Sequence, residues 1–377
     1  MIELGLVAGE ASGDLLGAHL VMALKARVPD LAVSGIAGPR LVEAGVSAIY
    51  PSQKLAVNGY IEVLAHLPEL LWIRSQIARR FLRERPRAFI GIDAPDFNFG
   101  LEEKLKRAGI PTLHFVSPSI WAWRGERIHR IKRAVSHMLV VFPFEAEIYQ
   151  QAGVPVTYVG HPLADVIPLE PDPAAARRAL GLSASEPLVA LLPGSRMGEV
   201  KRLLAPMLGA ARRIAQARPA THFLLPAASA AVREFIRTHV PQDLALHLLD
   251  GQSHVALEAC DVALLASGTA ALEAALYKKP MVITYRVPRL TATLVRRKTY
   301  LPYAGLPNIL AGRFVVPELL QEEATPEALA RAVLAWFDDS ARQQEATEEF
   351  RRQHLQLRQG AAGRIADAVL PYLAGHT

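Results

Sequence analysis

The feature that most limits what this chain can fold into is the junction Leu188-Val189-Ala190-Leu191-Leu192-Pro193-Gly194-Ser195-Arg196, followed by a long amphipathic pattern. An unbroken apolar run of strand length belongs in a parallel sheet covered on both faces, and Pro-Gly stops it before a helix begins. Such a turn leaves helix N–H groups without partners. Gly194 lets backbone come close to a ligand, Ser195 supplies a hydroxyl, and the helix start attracts anions. Arg196 adds a planar fork that suits phosphate oxygens. The same residues would also make an ordinary strand-to-helix turn with a surface arginine, so a second signal has to decide.

A similar unit opens the chain. Ile2 to Val7 reads as a strand, the small residues from Ala8 to Asp14 as a loop, and Leu15 to Arg27 as a helix. Glycines recur at 5, 9, 13 and 17, but Gly-x-Gly occurs nowhere, so the dinucleotide fingerprint is absent. Glu10 in that loop would repel a phosphate; it suits either sugar hydroxyls or the helix dipole. Further strands are expected at 33–37, 88–92, 112–116, 137–141 and 156–159, with helical patterns between them. This alternation implies an α/β fold whose ligands bind beyond the carboxyl ends of parallel strands. The strand ending at Ile92 delivers Asp93-Ala94-Pro95-Asp96, which Pro95 is expected to keep out of helix. Asp93 is placed for chemistry, and Asp96 to cap a helix beginning near Phe99. The loop Ser117-Pro118-Ser119-Ile120-Trp121-Ala122-Trp123 follows the next strand, its tryptophans either core or ligand platform.

At about 150 residues per domain, 377 residues make two domains, and the aperiodic stretch Leu163–Pro173 with Pro168, Pro171 and Pro173 is the expected boundary. The second half repeats the alternation, with strands near 188–192, 222–225, 246–249, 262–266 and 281–284. Its fourth strand ends in Ser267-Gly268-Thr269, a second anion-binding helix start, with Glu273 one turn further on the face of Thr269. Neither Ser267 nor Thr269 has the acid three residues on that a capping box needs. A carboxylate at Glu273 can instead accept bonds from the vicinal hydroxyls of a ribose. Two phosphate-binding helix starts in one domain, with Glu10 and Asp93 in the other, describe a cleft for a nucleotide sugar. No Walker loop, nucleophile elbow, His-Glu-x-x-His, paired Cys or Asp-x-Asp is present, so a metal-held diphosphate is not expected. Lys plus Arg (42) exceed Asp plus Glu (36), which asks for an anionic partner: nucleotide, phosphorylated substrate, lipid head group or nucleic acid. The single Cys260, and a start at Met1-Ile2-Glu3 without a basic signal region, lead to the expectation of a cytoplasmic protein.

Taken together, these motifs resemble the lipid-A-disaccharide synthase family. The matching segments are 7–14, 91–98, 116–123, 192–196, 267–273 and Leu306-Pro307-Asn308, in order along nearly the whole chain. One departure is Asn58, where the family is expected to carry Met. The resemblance implies a B-type glycosyltransferase, two Rossmann-like domains facing across a cleft. Residues 1–165, completed by a C-terminal helix at about 345–377, would form the acceptor side, and 166–344 the UDP-sugar side. It further implies transfer, with inversion, from UDP-2,3-diacylglucosamine to 2,3-diacylglucosamine 1-phosphate, giving a β-1,6-linked disaccharide 1-phosphate and UDP. Asp93 would be the base on the acceptor hydroxyl, Arg196 the diphosphate clamp and Glu273 the ribose ligand, beside Gly194, Ser195, Ser267, Gly268 and Thr269. Glu10 and Asn308 carry over as active-site residues, and Ser12, Trp121 and Trp123 to the acceptor side. No metal or cofactor, no nucleic acid and a homodimer are expected. Competing readings are a UDP-N-acetylglucosamine 2-epimerase, another B-type transferase, or a nucleotide-binding membrane module without turnover. Against the epimerase, Gly268 is followed by Thr269 and Glu273 by Ala274, where Ser-Gly-Gly and paired glutamates would stand.

A last stretch bears on location. Tyr60 to Leu82 reads as helix interrupted at Pro68, and Leu70-Leu71-Trp72-Ile73 puts apolar side chains all round it. Six arginines from Arg74 to Arg87 follow, opposed by Glu84 alone. The pattern fits either a buried helix with a solvated basic end or an element at an anionic membrane. The acylated substrates that the resemblance implies favour the second, with Leu71 and Trp72 at the membrane and the protein lying peripherally on the cytoplasmic face of the inner membrane.

Overall fold

Each half of the chain closes on a parallel sheet of its own. The computed structural model describes residues 2–9, 11–55, 60–122, 125–288, 292 and 300–374, with backbone alone for 11, 12 and 60–65. Glu10, Asn58 and Trp123 lie outside the described residues, and of Ser12 only the backbone is described.

Unit 1 takes residues up to Asp165 and those from Leu357 onward. Its strands are β1 (Ile2–Ala8), β2 (Leu31–Ala37), β3 (Ser47–Pro51), β4 (Ala88–Ile92), β5 (Thr112–Phe115), β6 (His137–Val140) and β7 (Val156–Tyr158), ordered β3-β2-β1-β4-β5-β6-β7. Unit 2, Val166–Gln356, holds β8 (Leu188–Leu192), β9 (His222–Ala227), β10 (Leu246–Asp250), β11 (Val262–Ala266), β12 (Met281–Tyr285) and β13 (Glu318–Leu320), ordered β10-β9-β8-β11-β12-β13. All pairings are parallel, and both orders reverse at the middle, between β1 and β4 and between β8 and β11. An open α/β sheet binds ligands at such a switch point, beyond the carboxyl ends of the strands.

The central strands β4, β8 and β11 are buried at every position, which is why they read as unbroken apolar runs. In unit 1, Ile73, Ile77 and Phe81 of the helix Tyr60–Glu84 pack with Phe89, Leu101 and Leu105. Burying each such side chain contributes about 1.5–3 kcal/mol before conformational entropy is subtracted. That helix is continuous through Pro68, correcting the expected interruption. Its packed face continues on the same helical period, and tertiary packing outweighs the lost backbone bond. The edge strands β3 and β13 were not expected. Both are short and largely half-exposed, so neither carries an apolar run.

The return to unit 1 comes at Leu357 and not near 345. The helix Ser340–Leu357 buries Phe350, and its Gln353 Nε2 donates to Pro307 C=O at 2.9 Å, so its inner face belongs to unit 2. Only then does Leu357 C=O accept His161 N–H at 2.9 Å. Asp165 caps the last helix, Ala361–Ala374, by accepting Gly360 N–H at 2.9 Å and Ala361 N–H at 2.7 Å.

Candidate active site

In unit 2 the two switch-point strands end side by side. After β8, Gly194 takes φ +115°, and a Cβ there would lie 2.5 Å from Glu199 Oε2. Glycine is required on both counts. The helix Met197–Ala217 then starts with Arg196 as its cap residue, whose N–H donates to Glu199 Oε2 at 3.4 Å. The Arg196 guanidinium is more than half exposed and stands 3.6 Å from Glu199 Oε1, which also accepts the Tyr285 hydroxyl at 3.3 Å. Arg196 is thus oriented by a carboxylate without being buried by it, and an anion can compete for its fork.

After β11, Gly268 takes φ +150° with nothing within 4 Å of where a Cβ would stand, so conformation alone selects glycine. The helix Thr269–Leu276 opens next. Ser267 Oγ donates to Ala304 C=O at 2.8 Å, which leaves its lone pairs for a ligand. Glu273 is 16% exposed; burial raises its pKa, and His254 at 4.0 Å pulls it the other way. A carboxyl so shielded gains from hydroxyl donors. Gly194, Ser195, Arg196, Ser267, Gly268, Thr269 and Glu273 all line one cavity of about 380 Å³. That volume falls in the range of small-ligand sites.

In unit 1, Asp93 and Ala94 both adopt left-handed backbone, φ 52° and 45°. For non-glycine residues this costs about 1–3 kcal/mol each and is found where geometry serves a site. Asp93 N–H donates to Phe115 C=O at 2.9 Å, and its own carbonyl accepts Asn98 Nδ2–H at 2.8 Å. Gly9, at the end of β1, lies so close that a Cβ would come within 2.6 Å of Ala94 Cβ. The half-buried Asp93 therefore stands at the switch point of its sheet. Two expectations beside it are corrected. The helix runs Pro95–Arg107, so Pro95 is its first residue, where a missing N–H costs nothing, and does not hold a loop open. Asp96, in the first turn, is exposed and pairs with Arg127 at 3.2 Å; Ala94 is the cap.

Trp121 is a packed residue. Its indole N–H donates to Glu145 Oε1 at 3.2 Å, and its ring stands edge-on to Phe144 at 5.2 Å. Leu71 and Trp72 are 45% and 55% exposed, with Leu67 beside them at 40%, while Ile73 is buried. Asn308, expected among the active-site residues, is held by the protein itself. It is fully buried; its Nδ2 donates to Val316 C=O (3.0 Å) and Glu318 Oε1 (2.7 Å), and its Oδ1 accepts Val315 and Val316 N–H. Glu318 in turn accepts Ala304 N–H at 2.7 Å and Gly305 N–H at 2.9 Å. The pair braces the turn that holds the Ser267 hydroxyl. Among the described residues no group of three His, Cys, Asp or Glu could hold a metal ion, and no helix is long and apolar enough to cross a membrane.

A family model described as lipid-A-disaccharide synthetase matches residues 4–369. The chain belongs to the lipid-A-disaccharide synthase family. The lipid-A-disaccharide synthase of Thiobacillus denitrificans is 66% identical over 369 residues, covering 98% of this chain and 99% of that protein. That of Methylobacillus flagellatus is 52% identical over 377 residues, covering 99% and 100%. Among solved structures, a UDP-GlcNAc 2-epimerase from Neisseria meningitidis bound to UDP-GlcNAc gives a TM-score of 0.67 at 12% identity, covering 98% of this chain and 100% of that chain. The glycotransferase of kitacinnamycin gives 0.62 at 16% identity, covering 98% of each. Such distant likenesses show the fold, two Rossmann-like units of the B type, and not the chemistry. As a lipid-A-disaccharide synthase by family, the protein is a UDP-dependent glycosyltransferase.

Within this synthase, Glu199 and Glu318 are site residues that the sequence reading missed. Glu199 had a signal, an acid three residues into the helix after Arg196. Glu318 had none, since its partners lie 10 to 14 residues earlier in the chain, at and before the helix Leu306–Ala311.

Proposed function

We propose that the enzyme joins UDP-2,3-diacylglucosamine to 2,3-diacylglucosamine 1-phosphate, giving the β-1,6-linked disaccharide 1-phosphate and UDP with inversion at the donor anomeric carbon. Asp93 takes the proton of the acceptor 6-hydroxyl as that oxygen bonds to the donor carbon. The bond from this carbon to the diphosphate breaks, and Arg196 with the helix starts at Met197 and Thr269 receives the charge of the departing UDP. Glu273 accepts the ribose hydroxyls. Asn308 acts indirectly, through Glu318 and the turn at Ala304. The observation that carries this reading is the convergence of both glycine turns, Arg196 and Glu273 on one cavity at a switch point.

The exposed Leu67, Leu71 and Trp72 support docking on an anionic membrane, where acylated substrates reside. We place that surface on the cytoplasmic face of the inner membrane. The deciding assay is UDP release with acylated and non-acylated donors. The acylated donor alone should turn over, and Asp93→Asn should lower turnover about 10²–10⁴-fold, to a residual rate that can still be measured, while UDP still binds. Equal release from both donors would refute the substrate assignment, and a normal rate in Asp93→Asn would move the base elsewhere.

A further inference from the structure

A buried polar cluster lies under Asp93 and takes no part in the steps above. Asn98, Glu102 and His114 are all fully buried. Asn98 Nδ2 donates to Asp93 C=O at 2.8 Å, and His114 Nδ1 and Glu102 Oε1 are hydrogen-bonded at 2.8 Å. Asn98 and Glu102 stand four residues apart, on one face of the helix Pro95–Arg107. That face lies against β4 where Gly91 gives it room: a Cβ there would come within 2.2 Å of Glu102 Oε1 and 2.9 Å of Asn98 Cγ. His114 reaches the cluster from β5, two residues before Val116, which is also left-handed at φ 74°.

Such a cluster is costly. Asn98 Oδ1, Glu102 Oε2 and His114 Nε2 find no hydrogen-bond partner among the described residues. Each orphaned buried polar atom costs about 1–3 kcal/mol. Apolar side chains of similar volume would hold β4, β5 and the helix together at lower cost. What apolar side chains cannot supply is the bond to the Asp93 carbonyl, and Asp93 and Ala94 adopt a conformation that non-glycine residues leave unless held.

We infer that Asn98 and the Glu102–His114 pair are positioning residues that hold the Asp93 peptide in its left-handed conformation and so aim its carboxylate. The pair fixes the helix face against β4 and β5, and Asn98 carries that placement to the Asp93 carbonyl. The inference rests on Asp93 being the base.

The test is a double-mutant cycle on the full-length enzyme, with kcat, KM for both substrates and UDP affinity measured. Asn98→Ala should lower kcat about 10–100-fold, the scale of a misplacement near 1 Å, with KM and UDP affinity within about 2-fold. In the Asp93→Asn background the same change should cost nothing further, because the group it aims is already gone. Glu102→Ala should behave likewise, and Glu102→Gln, which can still bond His114 Nδ1, should recover most of the lost rate. If the alanine variants fail to fold, Asn98→Ser replaces them; it cannot reach the Asp93 carbonyl and should lower kcat. An unchanged kcat in a folded Asn98 variant overturns the inference, as does an additive double mutant. A normal rate in Asp93→Asn would overturn the base assignment instead, so the two failures are told apart.

Discussion

At the scale of single residues, the groups proposed to act are held by neighbours that take no part in the proposed steps. Arg196 is the simplest case: exposed, turned by Glu199 at 3.6 Å and bound by little else, it contributes little to folding. Arg196→Ala should therefore leave thermal stability unchanged while lowering kcat about 10²-fold or more, the scale for losing one charge-stabilising donor. Arg196→Lys should restore only part of the rate, because an ammonium lacks the two-pronged fork. Steady-state kinetics beside a melting curve checks both, and full activity in Arg196→Ala would remove it from the diphosphate site. Residues of this kind are legible in sequence because the chemistry and the turn are contiguous. Asn98, Glu102, His114 and Glu318 are not, because each is defined by a partner brought from another element.

At the scale of elements, the helix Tyr60–Glu84 divides its apolar residues between two tasks. Ile73, Ile77 and Phe81 fill the core, and Leu67, Leu71 and Trp72 face outward. An outward aliphatic and indole surface followed by arginines suits the interfacial zone of an anionic bilayer. The protein should co-sediment with anionic vesicles, less so in high salt, and Leu71→Ser with Trp72→Ser should reduce that binding while sparing UDP affinity. Vesicle binding unaffected by the double change would move the membrane contact elsewhere. Period and composition foretold this helix but not its passage through Pro68, since the packing that overrides a proline is not a local property. The buried central strands were readable for the converse reason: burial on both faces writes itself as an apolar run, whereas no residue of β3 or β13 is buried and neither carries such a run.

At the scale of the whole molecule, Glu145 and His161 of unit 1 make opposed contributions to the pH dependence of stability. Burial pushes the Glu145 carboxyl up to about 7, against bonds from Phe142 N–H and Trp121 that favour its charge. Its folded form keeps a proton that the unfolded chain gives up near 4.5, so this contribution falls as pH rises from about 4.5 to 7. Burial pushes the His161 imidazole down to about 4, so the folded form lacks a proton that the unfolded chain holds below 6.5, and stability climbs from about 4 to 6.5. Glu145→Gln removes the falling contribution of this carboxyl and leaves the rising one of His161 in place. Its melting temperature should climb more steeply from pH 4.5 to 6.5 than that of the wild type, and parallel curves would refute the assignment. Both groups owe their shifts to burial that neither residue type announces in sequence. What the sequence determined by itself was the alternation of buried strands and amphipathic helices, the two glycine turns with Arg196 and Glu273, and the family, because each is written in neighbouring residues. The tertiary structure decided what depends on distance in space: the strand order that puts those turns together at the switch points, the braces behind Asp93 and Ser267, and the hand-over at Leu357, where the chain's inner face stops packing on one core and begins to cap another.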